Sequence, residues 1–216
     1  MKHILLFSIL FFATYILQAQ YISESGARQA GMAGSGVAYS DIWSSHHNQA
    51  GLADLTDITA GLCYSNLYNL DAFKEMSFAV VSPIDKYGSA GLNYTYSGNA
   101  SSNFSKLGLA FSKRLGKKIT AGIQIDYLRR MQLDYGSTGV AVGEFGIIAE
   151  PVSNLFIAAH IFNPWRAKFS YSNETLTSIF KLGTAYKFSD KVLFTLEGEK
   201  DISELKIGRA SCRERV

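Results

Sequence analysis

From residue 57 to residue 202 the chain alternates apolar residues with small or polar ones at a period of two, and turn residues interrupt the alternation at intervals. Successive side chains on a β-strand point to opposite faces, so this pattern constrains the fold more than any other feature. Ile119, Ala121, Ile123, Ile125 and Tyr127 share one face, while Thr120, Gly122, Gln124 and Asp126 share the other. Ala90, Leu92, Tyr94 and Tyr96 oppose Ser89, Gly91, Asn93 and Thr95. Leu107, Leu109 and Phe111 oppose Gly108, Ala110 and Ser112, and Leu182, Tyr186 and Phe188 oppose Lys181, Gly183, Ala185 and Lys187. A helix needs apolar positions three and four apart, and no segment after Asp57 sustains that spacing. The pattern predicts nine strands, at 57–68, 73–83, 87–97, 104–114, 118–130, 140–150, 154–165, 177–188 and 191–202.

The connections carry a second signal. Tight ones at 84–86, 115–117, 151–153 and 189–190 alternate with longer ones at 69–72, 97–103, 131–139 and 166–176. A soluble sandwich has no reason to keep that rhythm, whereas a transmembrane barrel turns tightly on one side of the bilayer and loops on the other. Tilted strands of about eleven residues match a bilayer. Only 18% of residues are charged, against roughly 25% in soluble domains, and the polar faces are small and mild rather than rich in Lys and Glu. Tyr64, Tyr68, Tyr94, Tyr96, Tyr127, Phe169, Tyr186 and Phe188 fall toward strand ends, as interfacial aromatic girdles do. The expected fold is all-β, an antiparallel up-and-down transmembrane β-barrel whose strands pair with their sequence neighbours.

The two ends of the chain read differently. Lys2 and His3 precede the apolar run 4–16, and Ala19 supplies a small residue at a cleavage position, so 1–20 is expected to be a signal peptide. The run is too short to span a hydrocarbon core of about 30 Å. The last ten residues, 207–216, can be encoded by a common sequencing-library adapter read in frame, and are expected to be an adapter-derived tail that packs against nothing in particular. The formal charge of +3 then dissolves. Without Lys2, Arg209, Arg213, Arg215 and Glu214, 17 basic residues balance 17 acidic ones, which removes any argument for a nucleic-acid partner. Cys63 becomes the only cysteine, so no internal disulfide is expected. On this reading 57–206 is a partial barrel, an open and curled trough whose first and last strands lack their natural partners.

Between signal and barrel, residues 21–56 are glycine-rich. Gly31, Gly34 and Gly36 fit a GxxGxG spacing, but no lysine follows and the spacing is not that of a phosphate loop. The stretch from Gly26 to Leu55 resembles the N-terminal signature of FadL-type outer-membrane transporters and their PorV/PorQ relatives in Bacteroidota. Members begin G-A-R-x-A-G-M-G-G-A-x-V-A, continue through an acidic residue and a short helix, and end N-P-A-G-L-A. Gly26, Arg28, Gly31, Gly34, Asp41, Asn48 and Gly51 fall on that pattern. Ala33 stands where a second glycine is usual, and Gln49 where the family has proline, a change expected to loosen the turn there. The resemblance implies a barrel of fourteen strands, about nine of them in this chain, with 21–56 folded into the lumen as a plug that contains a small helix.

No catalytic spacing is legible, so an enzyme and a cofactor are not expected. His46 and His47 would point about 100° apart on a helix and cannot chelate one metal ion together. His160 is expected to face the lumen or to be packed, and Asp126 and Glu144 to be lumen charges, because a lipid-facing acid is costly. The resemblance implies passive transport of a hydrophobic or small solute across the outer membrane, with membrane lipid as the surrounding partner. It equally implies the alternative of an accessory barrel of type IX secretion that handles secreted cargo proteins.

Overall fold

The computed structural model describes residues 25–169, 175–189 and 191–202, together with the backbone of 207–214; the expected signal peptide lies outside the described residues. One antiparallel sheet of ten strands accounts for most of them, and each strand pairs only with its sequence neighbours. The strands are β1 (Thr59–Asn66), β2 (Lys74–Ile84), β3 (Gly88–Gly98), β4 (Ser102–Arg114), β5 (Ile119–Gln132), β6 (Gly136–Val152), β7 (Leu155–Phe162), β8 (Ile179–Lys187), β9 (Leu193–Asp201) and β10 (Ile207–Glu214). Nine of them are the nine read from the alternation. Among the described residues β1 and β10 do not pair with each other, so the sheet is open.

Two expectations about the strands and their connections fail. The loops expected at 97–103 and 131–139 are largely strand, because β4 begins at Ser102, β5 runs to Gln132 and β6 begins at Gly136. Ladder hydrogen bonds belong to the backbone, so Ser, Asn and Gly can extend a hairpin where no apolar alternation marks it. The Asn99 side chain closes one of these tight turns by accepting from the amides of Ser101 and Ser102, at 3.0 and 2.9 Å. Short and long connections therefore do not alternate strictly; the difference between the two ends is partly carried by strand length. The second failure is the tail. Far from packing against nothing, Ile207–Glu214 pairs antiparallel with β9, with a register shift between Ile207 and Ala210. An unpaired strand edge offers a row of N–H and C=O groups to any adjacent segment, whatever its side chains.

The predicted faces hold, with the usual arrangement reversed. Ile123 and Ile125 on β5 are 51% and 67% exposed, whereas Gln124 and Asp126 between them are 2% and 0% exposed. Leu62, Leu92, Tyr94, Leu107, Leu109, Phe145, Ile147, Leu182 and Tyr186 are likewise exposed. Ser77, Asn93, Thr95, Glu144, His160, Lys181 and Glu197 are buried. Phe169 breaks the girdle expectation, since it is fully buried with the Arg130 guanidinium 5.0 Å above its ring.

What buries the polar face is the chain's own N-terminal segment. It holds α1 (Ala27–Gly31), α2 (Ser44–His47) and a 3-10 turn, Gln49–Asp54. This short segment bonds to Glu75 and Ser77 on β2 and also to Glu197 on β9. Strands lie about 4.8 Å apart in a sheet, so one small segment reaches both only because the sheet curls around it.

Candidate functional site

The candidate site is the seat of this N-terminal segment on the inner wall. Two apolar clusters anchor it. Leu52 packs with Val81 and Ala110, flanked by Ile42 and Leu55. Val37, Ala38 and Ala50 pack with Ile148, Ala158 and Ala185, flanked by Phe156 and Leu193.

Between and beyond these clusters the contacts are polar. Ser25 donates to Glu75 at 3.3 Å, and its hydroxyl lies 2.7 Å from that of Ser77. The amides of Gly36 and Val37 both donate to Glu197 Oε2, at 2.9 and 3.0 Å. Asn48 Nδ2 donates to the Val37 carbonyl at 2.8 Å and to the wall carbonyls of Ile147 and Ala159 at 3.3 and 3.5 Å. The Gln49 amide donates to Glu144 Oε2. From the wall, Asn93 Nδ2 donates to the Ser45 carbonyl at 3.0 Å. His46 Nε2 meets Thr95 Oγ1 at 3.0 Å, while His47 Nε2 donates to the Ser25 carbonyl at 2.8 Å. The two histidines thus turn to different partners, one to the wall and one to the segment's own start.

The wall makes room for the segment with glycine. A Cβ on Gly122 would stand 2.5 Å from the Ala50 nitrogen, and one on Gly91 would stand 3.0 Å from Leu52 Cδ1. One on Gly146 would collide with Asn48 Oδ1, and one on Gly183 with Val37 Cγ1. The mild polar faces read from the sequence are therefore in part a molded seat, a role that no single-strand pattern could disclose.

Charged side chains line the wall beneath. Glu144 receives Lys106 Nζ on one oxygen at 3.2 Å and His160 Nε2 on the other at 3.0 Å. Lys181 Nζ lies 3.6 Å from Glu197 and 3.3 Å from Glu199. Gln124 Nε2 donates to Asp126 Oδ1 at 2.7 Å and its carbonyl accepts from Asn93 at 3.1 Å. Asp126, Glu144 and His160 are all buried on the inner side, Asp126 where the alternation places it and Glu144 where the cost of a lipid-facing acid does.

Burial sets the electrostatics of the segment itself. It holds the His46 imidazole well below its ordinary range, with nearby Lys106 and His47 acting the same way. His47 is pushed down to about 3 by burial first and the charge of Lys181 second. Asp41 moves the other way, raised by burial despite its hydrogen bonds.

The signature residues divide by role. Gly26 precedes α1 at φ 108°, a backbone conformation that favours glycine, and its carbonyl accepts from Ala30. Gly34 sits at φ 82°. Arg28 lies over the Tyr39 ring at 4.8 Å. Asp41 ties the segment together, accepting from Gln29 Nε2 at 2.9 Å and from the Trp43 amide at 2.8 Å. Asn48 caps the 3-10 turn through Ala50 as well as reaching the wall. A Cβ on Gly51 would stand 2.6 Å from Ser44 Oγ. Gly31 has open space around it.

The two departures from the signature have opposite consequences. Ala33 adopts φ 55° where a glycine would be unstrained. Gln49, in place of proline, does not prevent the turn; it is fully buried and supplies the tie to Glu144. Ser25 on the segment and Glu75 and Glu197 on the wall were not singled out from the sequence, while His46 and Gln49 stood out there only as a pair that cannot chelate and as a departure from the signature. These residues, and the seat glycines with them, meet partners 39 to 161 positions away, so no local signal marks the contacts.

Comparison with known protein families and with curated proteins finds no match for this chain.

Proposed function

We propose that this chain forms the wall and plug of an outer-membrane β-barrel that passes a small solute passively, the N-terminal segment acting as the stopper. The observation that supports it most is the reversed distribution of side chains: large apolar residues cover the outward face of successive strands while Asp126, Glu144, Lys106 and Lys181 lie inside. Soluble monomers rarely expose contiguous apolar patches beyond a few hundred Å². In hydrocarbon the same face is solvated, and the strands satisfy their own backbone groups. The meander topology and the resemblance of residues 26–55 point the same way. On this reading further strands close the ring that β1 leaves open, because lipid cannot satisfy an unpaired edge.

The test is expression from the complete reading frame, followed by membrane fractionation and gel electrophoresis with and without boiling. A heat-modifiable band in the outer-membrane fraction, and solute uptake into proteoliposomes that rises when residues 25–56 are deleted, are the expected results. A soluble protein, or a barrel whose permeability ignores that deletion, would overturn the proposal. Retention of secreted proteins without any solute flux would favour the secretion reading.

A further inference from the structure

Taking the plugged-barrel reading as its basis, we infer that the space occupied by the N-terminal segment is a binding site for small cationic amines, which compete with that segment for the carboxylates of the wall. The segment's own contacts show what this wall recognises. On three separate strands it meets a glutamate with a hydrogen-bond donor: the Ser25 hydroxyl on Glu75 of β2, the Gln49 amide on Glu144 of β6, and the Gly36 and Val37 amides on Glu197 of β9. When the segment withdraws, those oxygens lose these donors together.

The atoms that the segment leaves unserved are of the same kind. On the wall, Asn93 Oδ1 is buried, is an acceptor and has no hydrogen-bond partner. His160 Nδ1 also has none. Its Nε2–H is committed to Glu144, so a neutral ring leaves Nδ1 as a bare acceptor. Asp126 and Asn93 are each 0% exposed and converge over Gly108, where a Cβ would collide with Asp126 Oδ1 and stand 2.7 Å from Asn93 Oδ1. A buried acceptor without a donor costs roughly 1–3 kcal/mol. The unserved wall atoms that carry no hydrogen of their own are acceptors, beside the hydroxyls of Ser112, Thr120 and Thr195, so a ligand rich in N–H relieves them and an acyl chain does not.

Charge agrees. Glu75, Asp126, Glu144, Glu197 and Glu199 line this band; Lys106 is set against Asp126, Glu144 and Glu75 together, and Lys181 lies between Glu197 and Glu199. Arg130 lies farther along β5, stacked on Phe169. Ammonium groups entering this band would meet carboxylates in a low-dielectric setting, where charge-assisted hydrogen bonds are about twice as strong as neutral ones.

The probe is putrescine, with 1,4-butanediol as its neutral analogue, succinate as its anionic one, and decanoate for an apolar occupant. The full-length protein is first shown to run as a folded, heat-modifiable barrel in detergent. Titration calorimetry then measures binding, and hydrogen–deuterium exchange follows the amides of Gly36 and Val37. Putrescine is expected to bind saturably and to speed exchange at both amides, while the other three compounds do neither. Asp126→Asn and, separately, Glu197→Gln should each weaken putrescine about tenfold, or about 1.4 kcal/mol, while the folded band persists. Binding of butanediol, succinate or decanoate as tight as that of putrescine would overturn the inference. So would putrescine binding indifferent to both variants, or none at all to a folded barrel. A protein that never gives the folded band fails at the first step, and there the plugged-barrel reading falls and takes this site with it.

Discussion

Along β5, Ile119, Ile123, Ile125 and Tyr127 point outward and are exposed, while Thr120, Gln124, Asp126 and Leu128 point inward and are buried. The strand's backbone serves both faces with one set of hydrogen bonds to β4 and β6, so the two faces differ only in what solvates them. Inward polar groups are answered by specific partners, such as Gln124 for Asp126 and the N-terminal segment for Glu144. Outward groups need no partner beyond an apolar surrounding. A substitution outward should therefore report on the environment as a medium, whereas one inward should report on fit and pairing.

The largest effect is expected outward. Ile125→Arg should destabilise the inserted barrel by about 2–4 kcal/mol if that face meets the middle of a bilayer, read as a shift in the denaturant midpoint for folding into vesicles. A near-zero shift would mean that water solvates the face and would break the comparison. Inward, Gly146→Val replaces a seat glycine with a branched side chain against Asn48. Overpacking of this kind costs about 1–3 kcal/mol, and the cost should appear as protease cleavage within 25–56 while the strands stay resistant. Equal loss from strands and segment would show that the two are not separable.

Acid should sharpen the same distinction. The docked segment holds His47 neutral down to about pH 3, and His46 well below its ordinary value, while a released segment would take up protons near pH 6.5. Docking is then fully favoured above pH 6.5 and is lost progressively as pH falls from there toward 3. Exchange of the segment's amides should accelerate over that window, and His46→Gln together with His47→Gln should flatten the profile. The smallest effect lies in the segment's own backbone. Ala33→Gly removes a left-handed strain of about 1 kcal/mol, whereas Gly31→Ala, with open space around it, should change the melting of the segment little or not at all.

Much of the wall was legible before any coordinates. The period of two placed Ile123 and Gln124 on opposite faces, and the up-and-down strand order was expected from the barrel reading of that alternation. The hairpin ends at 97–103 and 131–139 were misread because Ser, Asn and Gly carry no apolar alternation even where their backbone is paired. The site was legible only in part. Gly26, Gly34, Asp41, Asn48 and Gly51 were singled out and have local reasons in the structure, namely positive φ, capping and close approach. Gly31 was singled out too and shows no such reason.

Sequence alone determined the all-β class and which side chains share a face, because both depend on a spacing of two residues. Tertiary structure decided the rest. Lys106 meets Glu144 across 38 positions, and Gly36 meets Glu197 across 161. Whether such groups touch depends on the curl of the sheet and on where the N-terminal segment settles inside it. The pairing of β10 with β9 was decided there too, since an open edge selects a neighbour by its backbone, and backbone groups are the same in every sequence.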